Sequence, residues 1–286
     1  MRMPFELFVA LRYLFSRRKQ TFIYIISIMS ILGVALGVGA LVVVLGVYNG
    51  LTTDMRDKII GANAHGIVMS YVPAAFQQHP DLVQRVEAVE HVRGATPFIY
   101  TEVMLSAAGG VKGLVLRGID PESAPRVLSM LREIRRGSVA DLKREGTPGI
   151  VIGEELAKRL GIGLGSRVNL LSPSGEKGAT GYSPRIRPFE VVGIFKTGMF
   201  EYDSSLGFIA LAAARDLLGL PSDQITGIEV TVKDVYKADT VAAALQKELG
   251  PLASVRTWMD MNANLFAALK LEKIGMFILL AMVVLI

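Results

Sequence analysis

The sequence predicts a mixed α+β domain held outside a membrane by helices at its two ends. Three observations carry the prediction. No residue between Lys19 and Asp54 is charged, a second uncharged run occupies Ile274 to Ile286, and the polar stretch between them alternates strand-like and helix-like segments. Composition agrees: of 286 residues 51% are hydrophobic, and the mean hydropathy of +0.43 is high for a soluble chain.

Residues 1–20 form a cytoplasmic N-terminal segment. They hold Arg2, Arg12, Arg17, Arg18 and Lys19 against Glu6, a net +4 of the +5 carried by the whole chain. The basicity therefore belongs to one flank, and no basic face interleaved with aromatics is present to neutralise a polyphosphate backbone. Nucleic acid is excluded as a partner on that ground. The absence of cysteine excludes disulfides and thiolate chemistry.

Residues 21–48 read as the first transmembrane helix. From Phe22 to Val47 sixteen positions are Val, Ile, Leu or Phe, which favours insertion by about 5 to 10 kcal/mol at about 0.3 to 0.6 each. The positive-inside rule then puts residues 1–20 in the cytoplasm and the bulk of the chain outside. The rival reading is a signal peptide cleaved after "GVGA", with an apolar region longer than such peptides carry. Gly33 precedes Gly37 by one turn and Ala35 precedes Gly39 likewise, a face of small residues on which helices pack closely. Val47, Leu51, Met55 and Ile59 recur every four residues with charged residues between them, so residues 49–62 continue outward as an amphipathic stalk.

Residues 63–259 are the exported α+β domain. "HGIVMS" is a strand, and "EVMLSAAGGVKGLVLRGI" is a hairpin turned at Gly109 and Gly110. "DLVQRVEAVE" puts Leu82, Val83, Val86 and Val89 on one helical face. "GIVIGEELAKRLGIGLGSRVNLL" reads strand, short helix to Leu160, left-handed stop at Gly161, strand. "FEVVGIFKTG" and "GIEVTV" are further strands, with "LAAARDLLGL" and "ADTVAAALQKELG" as helices. The order suggests two lobes, the second β-rich and spanning about residues 120–225. Within it, "SPSGEKGATGYSPRIRP" at 172–188 has the Pro and Gly content of a long exposed arm. Tyr182, Ser183, Pro184, Arg185, Ile186 and Arg187 offer an aromatic and cationic contact surface for a partner there.

No catalytic pattern emerges. "GIGLGS" follows a helix where a dinucleotide fingerprint must open one, and "SGEKGAT" lacks phosphate-loop spacing. His65, His79 and His91 lie in dissimilar contexts without metal-ligand spacing. The chain reads as a non-enzyme with no metal and no cofactor of its own.

Residues 260–273, with Leu265, Ala268 and Leu269 on one face of "NLFAALKLEKIG", read as a returning stalk. The thirteen uncharged residues from Ile274 to Ile286 reach only about 20 Å as a helix against a hydrocarbon core of about 30 Å. They are the start of a second transmembrane helix, incomplete at about its midpoint.

The pattern resembles the permease subunits of lipoprotein-releasing ABC transporters, the LolC/LolE family, within the class that includes MacB and FtsX. The residues that carry the resemblance are "LRYLFSRRK" at 11–19, "SIMSILGVALGVGALVVVLGVYNG" at 27–50 and "LRGIDP" at 116–121. With them go "VIGEELAKRLGIGLGSRV" at 151–168, "VVGIF" at 191–195, Asp203 in "EYDSS", and "TW" at 257 ahead of "NLFAALKLEK". The resemblance implies a MacB-like two-lobed periplasmic domain between the first two of four helices of an inner-membrane protein. It implies a second permease copy or paralogue as partner and a separate cytoplasmic ABC ATPase that holds ATP and Mg. It further implies transfer of acylated lipoproteins to a periplasmic carrier recruited by a hook, which falls on Ser172 to Pro188. An apolar groove for lipid or lipoprotein acyl chains is expected around Ala40, Val43, Val44, Val47 and Tyr48. The alternatives are a MacB/FtsX-type permease for efflux or cell-wall hydrolase control, and a membrane-anchored sensor or binding module.

Overall fold

The computed structural model describes residues 5–14, 21–70, 80–132, 134–178, 181–251 and 253–285. In chain order its elements are α1 (Phe5–Leu14), α2 (Thr21–Ala62), β1 (Gly66–Ser70), α3 (Pro80–Glu87), β2 (Val92–Ala107), β3 (Gly110–Ile119), α4 (Ala124–Val127), β4 (Ile134–Gly137), β5 (Gly149–Gly153) and α5 (Glu154–Leu160). There follow β6 (Arg167–Gly178), β7 (Gly181–Phe195), α6 (Phe200–Ser205), β8 (Leu206–Ala210), α7 (Leu211–Leu218), β9 (Gly227–Val232), α8 (Ala238–Leu249), β10 (Ala253–Thr257), α9 (Trp258–Met261) and α10 (Ala263–Leu285). They gather into two units, one running to Asp54 and resuming at Asn264, the other spanning Met55–Ala263.

The first unit is helical. Helix α2 is a single run of 42 residues, about 63 Å at about 1.5 Å per residue. Most of its apolar side chains are exposed, Val34 and Val47 at 67% and Val43 at 64%, while Leu41, Leu45 and Tyr48 are half-buried along one stripe. A helix greasy all round needs lipid or a large core to cover it. Within Tyr24–Asp54 the most apolar 18-residue window has a mean hydropathy of 2.7, and among the described residues this is the helix long and apolar enough to cross a membrane. Helix α2 runs without a break through the expected stalk to Ala62, while the side chains of Leu51, Met55 and Ile59 lie outside the described set. Helix α10 starts at Ala263, after the break at Asn262 that follows α9, and runs continuously through the rest of the expected second stalk into the final apolar run.

The second unit is built on one ten-stranded sheet ordered β10-β1-β9-β2-β3-β8-β5-β7-β4, with β6 paired to β2 and β7. The pairs β3–β8 and β5–β7 are parallel. Strands β5, β8 and β9 are buried along their whole length, as continuous apolar runs are when both sheet faces are covered. One core gathers Ile119, Leu128, Leu131, Phe195 and Phe208, the two rings meeting edge to face at 5.6 Å. The stretch expected as a second lobe is hydrogen-bonded into this same sheet through β3–β8 and β2–β6.

Two glycines have a clear steric role. Gly161 ends α5 at φ 63°, ψ 33°, the left-handed stop expected there. Gly118 lets α7 lie close on β3, since a Cβ at that position would fall 2.5 Å from Ala214 Cβ.

Three elements depart from expectation. The first hairpin turns at Ala108 and Gly109, because Ala107 already pairs with Gly110. Strand β2 begins at Val92, ten residues before the strand read from the sequence, with Arg93 the extra residue at an irregularity in the β9 pairing. The arm 172–188 is not a loop: β6 and β7 continue as a hairpin whose last pair is Gly178 with Gly181. Its prolines, which read as loop signals, are accommodated because the register shifts between Ser172 and Glu176 next to Pro173, and β7 gains its β5 neighbour only from Glu190.

Candidate functional site

The hairpin is the first candidate. Tyr182 and Ser183 take their place in the ladder opposite Lys177 and Glu176, and their side chains lie outside the described set. Alternation along β7 divides the remaining four expected residues between two faces. Arg185 and Arg187 point to α7: Arg187 Nε donates to Asp216 Oδ2 at 2.8 Å, and Arg185 Nη1 reaches the Asp216 carbonyl at 3.5 Å. Both guanidinium groups thus sit at the C-terminal end of α7, where the helix dipole favours cations. These contacts tie the hairpin's base to α7.

Pro184 and Ile186 face the other way. Ile186 is 50% exposed and stands opposite Leu171, which stands opposite Met104, itself 51% exposed. Directly opposed residues share a sheet face, so Met104, Leu171 and Ile186 form an apolar row across β2, β6 and β7. Sequence reasoning missed Met104 and Leu171. The period-2 alternation of "TEVMLSA" marks Met104 as outward, but only the register sets it beside the hairpin.

The expected membrane groove is an open helix surface in the structure. Ala40, Val43, Val44 and Val47 are all exposed, Val44 at 51%. Tyr48 is half-buried, its hydroxyl donating to Glu272 Oε2 at 3.5 Å. A shallow groove of ≈ 590 Å³ does lie along α2, but two to three turns earlier, against Ser30, Ile31, Val34, Ala35 and Val38. It borders the small-residue face: a Cβ on Gly33 would meet no atom within 4 Å, and Gly37 is half-buried.

Other polar groups serve the fold. His65 Nδ1 accepts from the Val232 amide at 3.1 Å, which places the neutral ring's proton on Nε2. Burial pushes its pKa down and the nearby Arg93 charge adds to the shift. Asp203, 2% exposed, accepts from the Thr197 and Gly198 amides at 2.8 and 3.1 Å and pins that turn to α6. Thr257 and Asp260 make a reciprocal capping box that starts α9 over the buried Trp258. Glu229 lies in the sheet with 1% exposure and receives Arg117 Nη1 at 2.8 Å. Burial pushes its pKa up and the Arg117 charge opposes the shift. Among the described residues no cluster of His, Asp or Glu could hold a metal ion.

Comparison with known proteins places these features. The MacB-like periplasmic core domain matches residues 27–248. The lipoprotein-releasing system transmembrane protein LolC of Neisseria meningitidis serogroup B is 32% identical over 280 residues, which cover 98% of this chain and 67% of that protein. LolC of Xylella fastidiosa (strain Temecula1) is also 32% identical, over 98% of this chain and 67% of its own. The corresponding LolE of Haemophilus influenzae is 23% identical over 99% of this chain and 68% of its own.

Proposed function

Because this chain belongs to the LolC/LolE family of lipoprotein-releasing transmembrane proteins and carries a MacB-like periplasmic core domain, we propose that it is the permease subunit of an ATP-driven lipoprotein-releasing transporter. In this reading it sits in the inner membrane with residues 1–20 in the cytoplasm and the sheet in the periplasm. A separate cytoplasmic ATPase hydrolyses ATP, and a second permease copy or paralogue completes the membrane part. Acylated lipoproteins leave the membrane and pass to a periplasmic carrier met by the β6–β7 hairpin.

The observation that carries the proposal is the unbroken helix α2, which leads from the apolar span into the stretch just before β1. A lipoprotein with about 45 acyl methylenes would need about 36 kcal/mol to be exposed to water at about 0.8 per methylene. The lipid must therefore move between apolar surfaces, with work delivered from the cytoplasmic side, and a continuous helix is the simplest lever for that work. A lever broken midway should uncouple the two ends.

Met55→Pro removes a helical hydrogen bond and costs about 3 kcal/mol of helix stability. Its expected outcome in the full-length protein with its ATPase is retained ATP hydrolysis and lost lipoprotein release; unaltered release would overturn the lever. The match to a MacB-like domain also favours a second reading, efflux or cell-wall hydrolase control. Photocrosslinking from Tyr182 or Ile186 separates the two: capture of a lipoprotein carrier supports release, and capture of an efflux adaptor or hydrolase supports the rival. Failure of the full-length protein to co-purify with any nucleotide-binding subunit would favour a sensor instead.

A further inference from the structure

We infer that the open cleft between β4, α5 and the C-terminal end of β7 binds a phosphate-bearing ligand, a site separate from both the hairpin and the membrane helices. The cavity measures ≈ 560 Å³. Four cations line it, Arg135, Arg136, Lys158 and Lys196, against the single carboxylate of Glu154. The lining therefore carries a net charge of +3, in a domain where charges of the two signs are otherwise interspersed.

The pairing inside the cavity shows which cations are committed. Lys196 Nζ lies 2.8 Å from Glu154 Oε2, and Lys158 Nζ lies 3.6 Å from Glu154 Oε1 and 2.9 Å from Glu155 Oε1. Those two lysines are held in place by carboxylates. Arg135 and Arg136 meet no carboxylate among the described residues, and both are exposed on the edge strand β4. Adjacent residues of a regular strand point to opposite faces. Here the pairing of β4 with β7 shifts register between Ile134 and Arg136, and a bulge of this kind re-aims a side chain. That is how two consecutive arginines come to line one cavity.

Two guanidinium forks beside two fixed ammonium groups suit a phosphoryl group in both geometry and charge. Guanidinium matches phosphate oxygens two at a time, and a phosphate monoester brings about −1.5 to −2 at neutral pH. The floor is apolar, formed by the buried Phe195 with Ile194 and Ala157. It takes a glyceryl or alkyl portion attached to the phosphate. The same chemistry is offered by a soluble phosphate ester and by an anionic lipid headgroup.

The test uses the full chain in a neutral detergent, titrated calorimetrically with glycerol 3-phosphate and, separately, with water-soluble dihexanoyl phosphatidylglycerol. Saturable binding of one or both is expected, and which ligand binds identifies the source. The R135A/R136A variant should bind about tenfold more weakly or worse, a loss of about 1.4 kcal/mol or more. R93A/K112A removes the same charge from exposed positions elsewhere and should bind as the unaltered chain does. No saturable binding of either ligand, an equal loss in R93A/K112A, or unchanged affinity in R135A/R136A would overturn the site. If R135A/R136A fails to keep the native circular dichroism spectrum, Lys196→Met takes its place with the same expected loss.

Discussion

Arg117 and Arg187 each meet a carboxylate at 2.8 Å, yet the two pairs belong to different physical regimes. Arg117 and Glu229 sit inside the sheet with 14% and 1% of their side chains exposed, and Arg117 Nε and Glu229 Oε2 are buried without a hydrogen-bond partner among the described residues. Arg187 and Asp216 flank the hairpin's base at 44% and 65%. Equal distance therefore does not mean equal energy. In the interior the two charges have given up hydration and depend on each other, whereas at the surface water screens both.

The largest effect should come from breaking the buried pair. Arg117→Ala leaves the buried Glu229 without its partner, and is expected to lower stability by about 3 to 5 kcal/mol in urea unfolding at neutral pH. R117M/E229L, which removes both charges, should recover most of that loss; a double variant as unstable as the single one would contradict the account.

Acid sharpens the same comparison. Burial already raises the pKa of Glu229, and the Arg117 charge is what holds it down. Without Arg117 the folded-state pKa lies further above that of the unfolded chain, so protonation stabilises the folded state. The sign follows from linkage: the folded form binds more protons than the unfolded one in that window, so stability falls as pH rises. The R117A deficit should therefore shrink on lowering the pH from 8 to 5. A deficit independent of pH would show that lost packing, rather than the stranded carboxylate, is responsible.

Smaller effects are expected elsewhere. Thr257→Ala removes the side chain that caps α9 and should lower stability by about 1 kcal/mol, read as a reduced urea midpoint with an unchanged slope. Arg187→Ala should cost less than about 1 kcal/mol, and 1 M salt should remove most of the difference from the unaltered protein. A loss above 2 kcal/mol that persists in salt would mean that the hairpin's base is held by more than a screened ion pair.

Much of this molecule was legible in the chain itself, for reasons visible in particular residues. The membrane-crossing part of α2 follows from sixteen Val, Ile, Leu or Phe positions in the uncharged run from Phe22 to Val47, a signal that no tertiary context has to supply. Gly161 could be read as a left-handed stop because only glycine takes that conformation freely. The capping box of Thr257 and Asp260 is likewise local in sequence. The hairpin reads as a loop because Pro and Gly are turn signals on average, yet an edge ladder with a bulge tolerates them.

Long-range pairing explains what the sequence left open. Arg185 and Arg187 read as part of a contact surface for a partner, and only the fold shows that α7, about thirty residues later, puts Asp216 beside them. Nothing local in sequence links Arg135 and Arg136 to Lys158 and Lys196, and it is the fold that brings all four to the same cavity.

By itself, the sequence determined that this protein has a membrane-crossing helix, a basic flank at its start, and an α+β body of alternating short elements. Those properties depend on transfer free energies and local backbone preferences, which each segment carries with it. The tertiary structure alone decided which charges are neutralised, which apolar residues share a face, and where the hairpin is anchored. These depend on strand register, and a shift of one residue in register exchanges one face of a strand for the other.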